Sequence, residues 1–175
     1  MRRLRLTPGA DLAVYYRADS AFHADRPEVL GHVTLQRFID AYAHCPSIGF
    51  ELEGRPIGGI LLDGDEAHIA VLPEAHGQWA LLLKPALAWL FSLRPAVMAR
   101  VDARNHTCLA FMDRHGWERL RADAQSVCYL LLPQDGRRKT AYPFRDSLSR
   151  QSGENGAERR MELRCASTTS PARER

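Results

Sequence analysis

The chain has 175 residues, 45% of them hydrophobic, which is enough for one domain with a sizeable core. Residues 1–133 carry 14 Lys and Arg against 15 Asp and Glu, a net charge of −1, whereas residues 134–175 carry 10 against 6, a net charge of +4. The positive charge therefore belongs to the C-terminal segment. The near-neutral remainder argues against an electrostatic nucleic-acid-binding domain.

Three features predict a cytoplasmic protein that does not enter the membrane. The longest apolar run, residues 79–93, is too short to span a bilayer and contains Lys84 and Pro85. The N-terminus is charged but has no apolar core before Pro8, so we expect no signal peptide. The four cysteines are widely spaced without a C-x-x-C pair, which favours free thiols in a reducing compartment.

The periodicity of apolar residues predicts the element order β-α-α-β-β-β-α-β-α-β-β. Strands are predicted at 4–6, 47–52, 57–62, 66–72, 96–101, 117–120 and 126–132, and helices at 11–26, 35–44, 79–93 and 105–115. Tight turns join the second, third and fourth strands into an antiparallel meander. The fold class is therefore mixed α/β, with helices on both faces of one sheet and a single domain over residues 1–133.

Proline 85 is unfavourable in the predicted third helix, because an interior proline costs about 3 kcal/mol. Either the helix kinks at this residue, or its regular part begins near Lys84 and places Pro85 in the first turn.

Further along the chain, the apolar periodicity stops at Gln134. Residues 134–175 are rich in Ser, Gly, Glu and Arg, which predicts a basic segment that is disordered or docked peripherally.

The segment Val71–Gly77 connects the fourth predicted strand to the third helix. A strand that ends at proline, turns through glycine and opens a helix leaves backbone N–H groups unpaired at one point, which favours an anion site. Together with Asn105 and the segment Phe111–Trp117, this loop resembles the acyl-CoA-binding core of the GNAT (GCN5-related N-acetyltransferase) superfamily. Its members typically read Val-x-Pro-x-x-Arg/Gln-Gly-x-Gly/Ala here, and Val71, Pro73 and Gly77 fall on that pattern.

The resemblance implies the GNAT acyltransferase fold and acetyl-CoA as the acyl donor. The loop departs from the family pattern at His76, where Arg or Gln is usual, and at Trp79, where a small residue is usual. Proteins similar to this one, with a tryptophan at this position, occur among the GNAT-like proteins encoded by bacteriophages. The resemblance assigns cofactor binding to six residues: Val71, His76, Gly77, Gln78, Trp79 and Asn105.

The candidate catalytic residues differ from those usual in the GNAT superfamily. Met112 occupies the usual place of the tyrosine that protonates the departing thiolate, and a thioether has no proton to donate. Cys108, one turn earlier, is an alternative donor or simply a small buried residue. Glu66 and His68 lie two residues apart on the fourth strand, so His68 could act as the base and Glu66 could orient it. The alternative is that both face solvent.

These features predict an enzyme that transfers an acetyl or acyl group from acyl-CoA to a primary amine by direct attack. The alternative is a catalytically weak or inactive GNAT-like binding module that acts through a protein partner. Both the enzyme and the binding module are compatible with a homodimer or with a protein partner bound by the C-terminal segment. Nucleic-acid binding would rest only on the basic run Arg137–Lys139, for which ordinary solvation is an alternative explanation.

Overall fold

The computed structural model describes residues 3–24 and 33–133 of the chain. The predicted C-terminal segment and the end of the first predicted helix lie outside the described residues. The elements are β1 (Leu4–Pro8), α1 (Leu12–Phe22), α2 (Leu35–Tyr42), β2 (Ser47–Leu52), β3 (Arg55–Asp63), β4 (Glu66–Val71), α3 (Leu83–Leu93), β5 (Val97–Asp102), α4 (His106–Arg114), β6 (Glu118–Ala122) and β7 (Ser126–Leu131). The predicted element order is confirmed.

The seven strands form one mixed sheet in the order β1-β2-β3-β4-β5-β7-β6. Strands β2, β3 and β4 pair antiparallel, which confirms the predicted meander. Strands β4 and β5 are parallel neighbours, and α3 makes the crossover between them. Parallel neighbours require such a crossover, because a tight turn can join only antiparallel strands.

Each face of the sheet is covered by two helices, as predicted. One core lies under α3 and α4 and includes Ala86, Leu90 and Met112 from those helices. The other lies under α1 and α2 and includes Tyr15 and Phe38. Within the described ranges, no helix is long and apolar enough to cross a membrane.

The third helix begins later than predicted. Two short 3₁₀ turns, Pro73–Ala75 and Trp79–Leu82, precede the regular α-helix, which starts at Leu83. The prediction of an α-helix from residue 79 is therefore wrong in its first turn, and the alternative that places Pro85 in the first turn is confirmed. Pro85 lacks an N–H, and the first turn is the place where that N–H has no helical partner.

Two glycines allow the loop before α1 to lie directly on the sheet. Gly49 and Gly59 are opposite each other in β2 and β3. A Cβ atom on Gly59 would overlap the carbonyl oxygen of Ile48 and would come within 2.9 Å of the Cβ of Ala10. The close approach of Ala10 fixes where α1 begins over the sheet.

We predict that Gly59→Ala lowers the free energy of unfolding by about 1–3 kcal/mol, because the added methyl group overlaps the neighbouring atoms. Chemical denaturation provides the measurement. Gly64→Asn is the matched control, because Gly64 has a φ of +59° and open space around it, and asparagine tolerates that conformation. Equal stability of Gly59→Ala and the wild type would contradict the assigned contact.

Candidate active site

The parallel strands β4 and β5 separate after a single bridge. Glu66 pairs with Met98, and the Met98 N–H donates to the Asp65 carbonyl at 2.7 Å. Beyond Glu66, the described strands have no further β4–β5 pairing. The sheet is therefore split between β4 and β5, and the split opens toward the carboxyl ends of both strands.

The backbone of β4 turns groups that β5 does not pair toward this split. The Leu72 N–H donates to the Ile57 carbonyl at 2.8 Å, so Leu72 is hydrogen-bonded to β3. Along an antiparallel strand such residues alternate with residues whose backbone groups point the other way. The backbone groups of Ile69 and Val71 therefore point into the split. The side chain of Ile69 is 43% exposed, which indicates that solvent reaches this edge.

The loop after β4 is largely hydrogen-bonded to itself. The His76 N–H donates to the Pro73 carbonyl at 3.2 Å, and the Gln78 N–H donates to the Ala75 carbonyl at 3.1 Å. The expectation that the loop leaves its N–H groups unpaired is therefore wrong for His76 and Gln78. The Gln78 side-chain amide also donates within the loop, to the Glu74 carbonyl at 3.2 Å.

Two side chains attach the loop to the rest of the site. His76 donates from Nε2 to the Val71 carbonyl at 2.9 Å, which joins the loop to the end of β4. The indole of Trp79 stacks on Phe50 of β2 with a centroid distance of 5.8 Å, and lies 6.2 Å from the ring of Phe111 on α4. Trp79 thus connects the segment before α3 with α4. Gly77 has a φ of +81° and open space around its Cα, so it supplies the turn.

A polar cluster lies on the opposite face of the sheet, the face that carries α1 and α2. Arg100 Nε is 3.5 Å from Glu66 Oε1, and His68 Nδ1 is 3.9 Å from the same oxygen. The side chains of Arg100, Glu66 and His68 are 24%, 15% and 14% exposed. The alternative that Glu66 and His68 face solvent is therefore wrong. Arg100 was not predicted as a site residue. The sequence signal for it is that Arg100 precedes the apolar Val101 in β5, so the two side chains point to opposite faces of the sheet.

Comparison with solved structures gives many similar folds. An N-acetyltransferase from Staphylococcus aureus Mu50 is 17% identical, with a TM-score of 0.57 over 75% of this chain and 98% of the other. The PaiA N-acetyltransferase from Thermoplasma acidophilum, in complex with coenzyme A, is 11% identical, with a TM-score of 0.57 over 75% and 99%. A GCN5-related N-acetyltransferase from Rhodopseudomonas palustris is 19% identical, with a TM-score of 0.55 over 76% and 96%.

The chain has the GNAT fold. This confirms the fold that the loop and the segment after Asn105 predicted. No protein-family model matches the sequence, and no curated protein matches it. The bacteriophage type stays a prediction.

Helix α4 follows β5 as the loop follows β4, so both begin at the open end of the split. Asn105 caps the helix, since its Oδ1 accepts from the Cys108 N–H at 3.0 Å. Gly116, with a φ of +69°, follows the end of the helix as predicted. Met112 is only 4% exposed and belongs to the core. Burial raises the pKa of the Cys108 thiol, so this group stays protonated at neutral pH.

The C-terminal end of α4 is attached to the last two strands by a charged network. The buried Tyr129 hydroxyl donates to Asp113 Oδ1 at 2.9 Å, and Arg119 donates to both carboxylate oxygens of Asp113. The Arg119 hydrogen bond and the Tyr129 hydroxyl hold the pKa of Asp113 below its usual value of 3.8. Desolvation and the hydrogen bond to Asp113 raise the pKa of Tyr129.

This network predicts that part of the stability depends on pH. Because the pKa of Asp113 is lower in the folded state, its contribution is present above pH 3.8 and is lost as pH falls below that value. Asp113→Asn should therefore be less stable than the wild type at pH 7, and the difference should shrink toward pH 3. Urea denaturation at several pH values provides the measurement. Arg119→Gln should remove most of the effect, and a difference that is independent of pH would contradict the assignment.

Proposed function

We propose that the protein is an acetyl-CoA-dependent N-acetyltransferase that transfers the acetyl group to a primary amine by direct attack. The observation that carries the proposal is the edge of β4 that β5 leaves open at the split, in a chain with the GNAT fold. The similar structure from T. acidophilum is a complex with coenzyme A, which supports a CoA thioester as the donor.

The open edge would bind the thioester. The N–H groups of Ile69 and Val71 point into the split, where either could donate to the thioester carbonyl oxygen. That oxygen gains negative charge as the amine attacks, and a backbone N–H already held in place stabilises the charge without reorganisation. One such donor contributes about 10²–10³ in rate. This contribution requires no particular side chain.

The cofactor phosphates would bind at the loop after β4 and the segment before α3. Gly77 supplies the open turn, and Gln78 and Trp79 follow it. Asn105 lies across the split at the start of α4, where its side-chain oxygen is engaged as the helix cap. We retain these residues with Val71 as the proposed cofactor-binding set and leave out His76, because its imidazole is already bonded to the Val71 carbonyl.

The acceptor amine would approach from the face that carries the polar cluster. His68 is the better candidate for the base, because the neighbouring guanidinium of Arg100 already balances the negative charge of Glu66. Glu66, 3.9 Å from His68, would stabilise the imidazolium that forms when His68 takes the proton.

A second candidate function is a binding module that holds the cofactor without turnover. It is favoured by the burial of Met112, which places a core thioether where the family has an acid, and by the stacking of Trp79 between β2 and α4. The missing acid slows the reaction but does not prevent it, because a thiolate is a fairly good leaving group. The two functions therefore differ in turnover and share a cofactor site.

Cofactor binding is tested by calorimetry with acetyl-CoA. We expect micromolar binding to the wild type and about tenfold weaker binding to Gly77→Glu, equivalent to about 1.4 kcal/mol, because the added carboxylate repels the phosphates. Gly54→Glu is a closely matched control. Gly54 has a φ of +82° against +81° at Gly77, and both have open space around them. Absence of binding at millimolar ligand, or equal weakening by both variants, would contradict the proposed site.

Turnover is tested by thiol release from acetyl-CoA with a panel of primary amines. We expect His68→Gln to lower kcat by about 10²-fold or more with little change in the affinity for acetyl-CoA, because a general base acts only in the chemical step. His44→Gln, at an exposed position after α2, is the control. Tight cofactor binding with no turnover on any amine would instead support the binding module.

A further inference from the structure

We infer that the loop of residues 72–79 blocks part of its own ligand site with one side chain: His76 holds the backbone carbonyl that an amide-bearing ligand must use. This inference rests on the proposed function, because the ligand in question is acyl-CoA. It concerns the same site and adds a step before binding, in which His76 is displaced.

The first support is the direction of the Val71 carbonyl. It lies at the open edge of β4 and points into the split. An extended ligand with amide groups can bind such an edge as an additional strand would, by donating to its carbonyls and accepting from its N–H groups. The pantetheine arm of acyl-CoA is an extended chain with amide groups, and it leads to the thioester.

The second support is that this carbonyl already has a partner. The His76 imidazole donates to it at 2.9 Å, a typical donor–acceptor distance for an N–H···O hydrogen bond. The imidazole ring occupies space beside the Val71 carbonyl oxygen, so a ligand amide along β4 competes with it. His76 is exposed, so the ring has solvent into which it can move.

The third support is the construction of the loop. The His76 and Gln78 N–H groups donate to carbonyls of the loop itself, as does the Gln78 side chain. Leu72 at the start of the loop donates to the Ile57 carbonyl, and Ala75 is buried in the core. At the far end Trp79 stacks on Phe50 and lies near Phe111. The loop backbone is therefore held by contacts that do not involve the His76 imidazole, so this side chain can leave the Val71 carbonyl by rotating into solvent while the loop stays in place.

Calorimetry with two probes tests the inference. Acetyl-CoA contains the amide arm, whereas adenosine 3′,5′-bisphosphate contains the base, the ribose and two of the three phosphate groups without that arm. We expect His76→Ala to bind acetyl-CoA about two- to tenfold more tightly than the wild type, the range expected for one net hydrogen bond. Binding of the bisphosphate should be unchanged. His44→Ala is the control for loss of an exposed histidine.

A rescue variant and a direct readout complete the test. His76→Gln keeps a side-chain N–H donor in the loop, so it should bind acetyl-CoA less tightly than His76→Ala. In ¹⁵N-labelled wild type, the His76 Nε2–H signal should be perturbed by acetyl-CoA and unaffected by the bisphosphate.

Equal or weaker binding of acetyl-CoA by His76→Ala would overturn the inference, and weaker binding would instead indicate that His76 contacts the cofactor. If neither the wild type nor His76→Ala binds acetyl-CoA at millimolar concentration, the proposed function fails and the inference fails with it. Binding by the wild type without a gain in His76→Ala contradicts the inference alone.

Discussion

The separation of β4 from β5 is the constraint on which the candidate site depends. One bridge, Glu66 to Met98, holds the two strands together at their amino ends. Every further β4–β5 bond would have consumed the backbone groups that now point into the split. Among the described residues, β4 and β5 thus leave several strand-to-strand hydrogen bonds unmade, which is unfavourable unless other groups, water or a ligand satisfy them. This pattern is the physical reason for placing a binding site here.

The two faces of the split have different chemistry. Toward α3 and α4 the neighbouring side chains are apolar, with Trp79 and Phe111 connecting the loop to helix α4. Toward α1 and α2 they are charged, with Arg100, Glu66 and His68 in one half-buried cluster. In the proposed reaction, the cofactor with its amide-bearing arm would lie on the first face, and proton transfer from an amine would take place on the second. The proposed reaction assigns one substrate to each face, with the thioester between them.

The departures from the usual GNAT pattern concern the same part of the molecule. His76 is bonded to Val71, Trp79 stacks between β2 and α4, and Met112 is a core residue. In the proposed function, the first two would affect how the cofactor enters, and the third would leave no proton donor at that position. The proposed oxyanion site would be unaffected by all three, because it consists of main-chain N–H groups. The fold is thus compatible both with the proposed turnover and with cofactor binding alone.

The sequence by itself determined the order of the elements, their caps and the position of the loop, because these depend on local periodicity and on residues such as Pro85, Asn105 and Gly116. Only the tertiary structure decided the split, since strand pairing is a non-local choice. It also decided the Arg100–Glu66 contact, the Asp113–Arg119–Tyr129 network and the His76–Val71 bond. In the first two cases the partners come from different elements. His76 and Val71 lie at the two ends of a turn whose path is set by packing. In no case does the spacing in the sequence specify the distance between the partners.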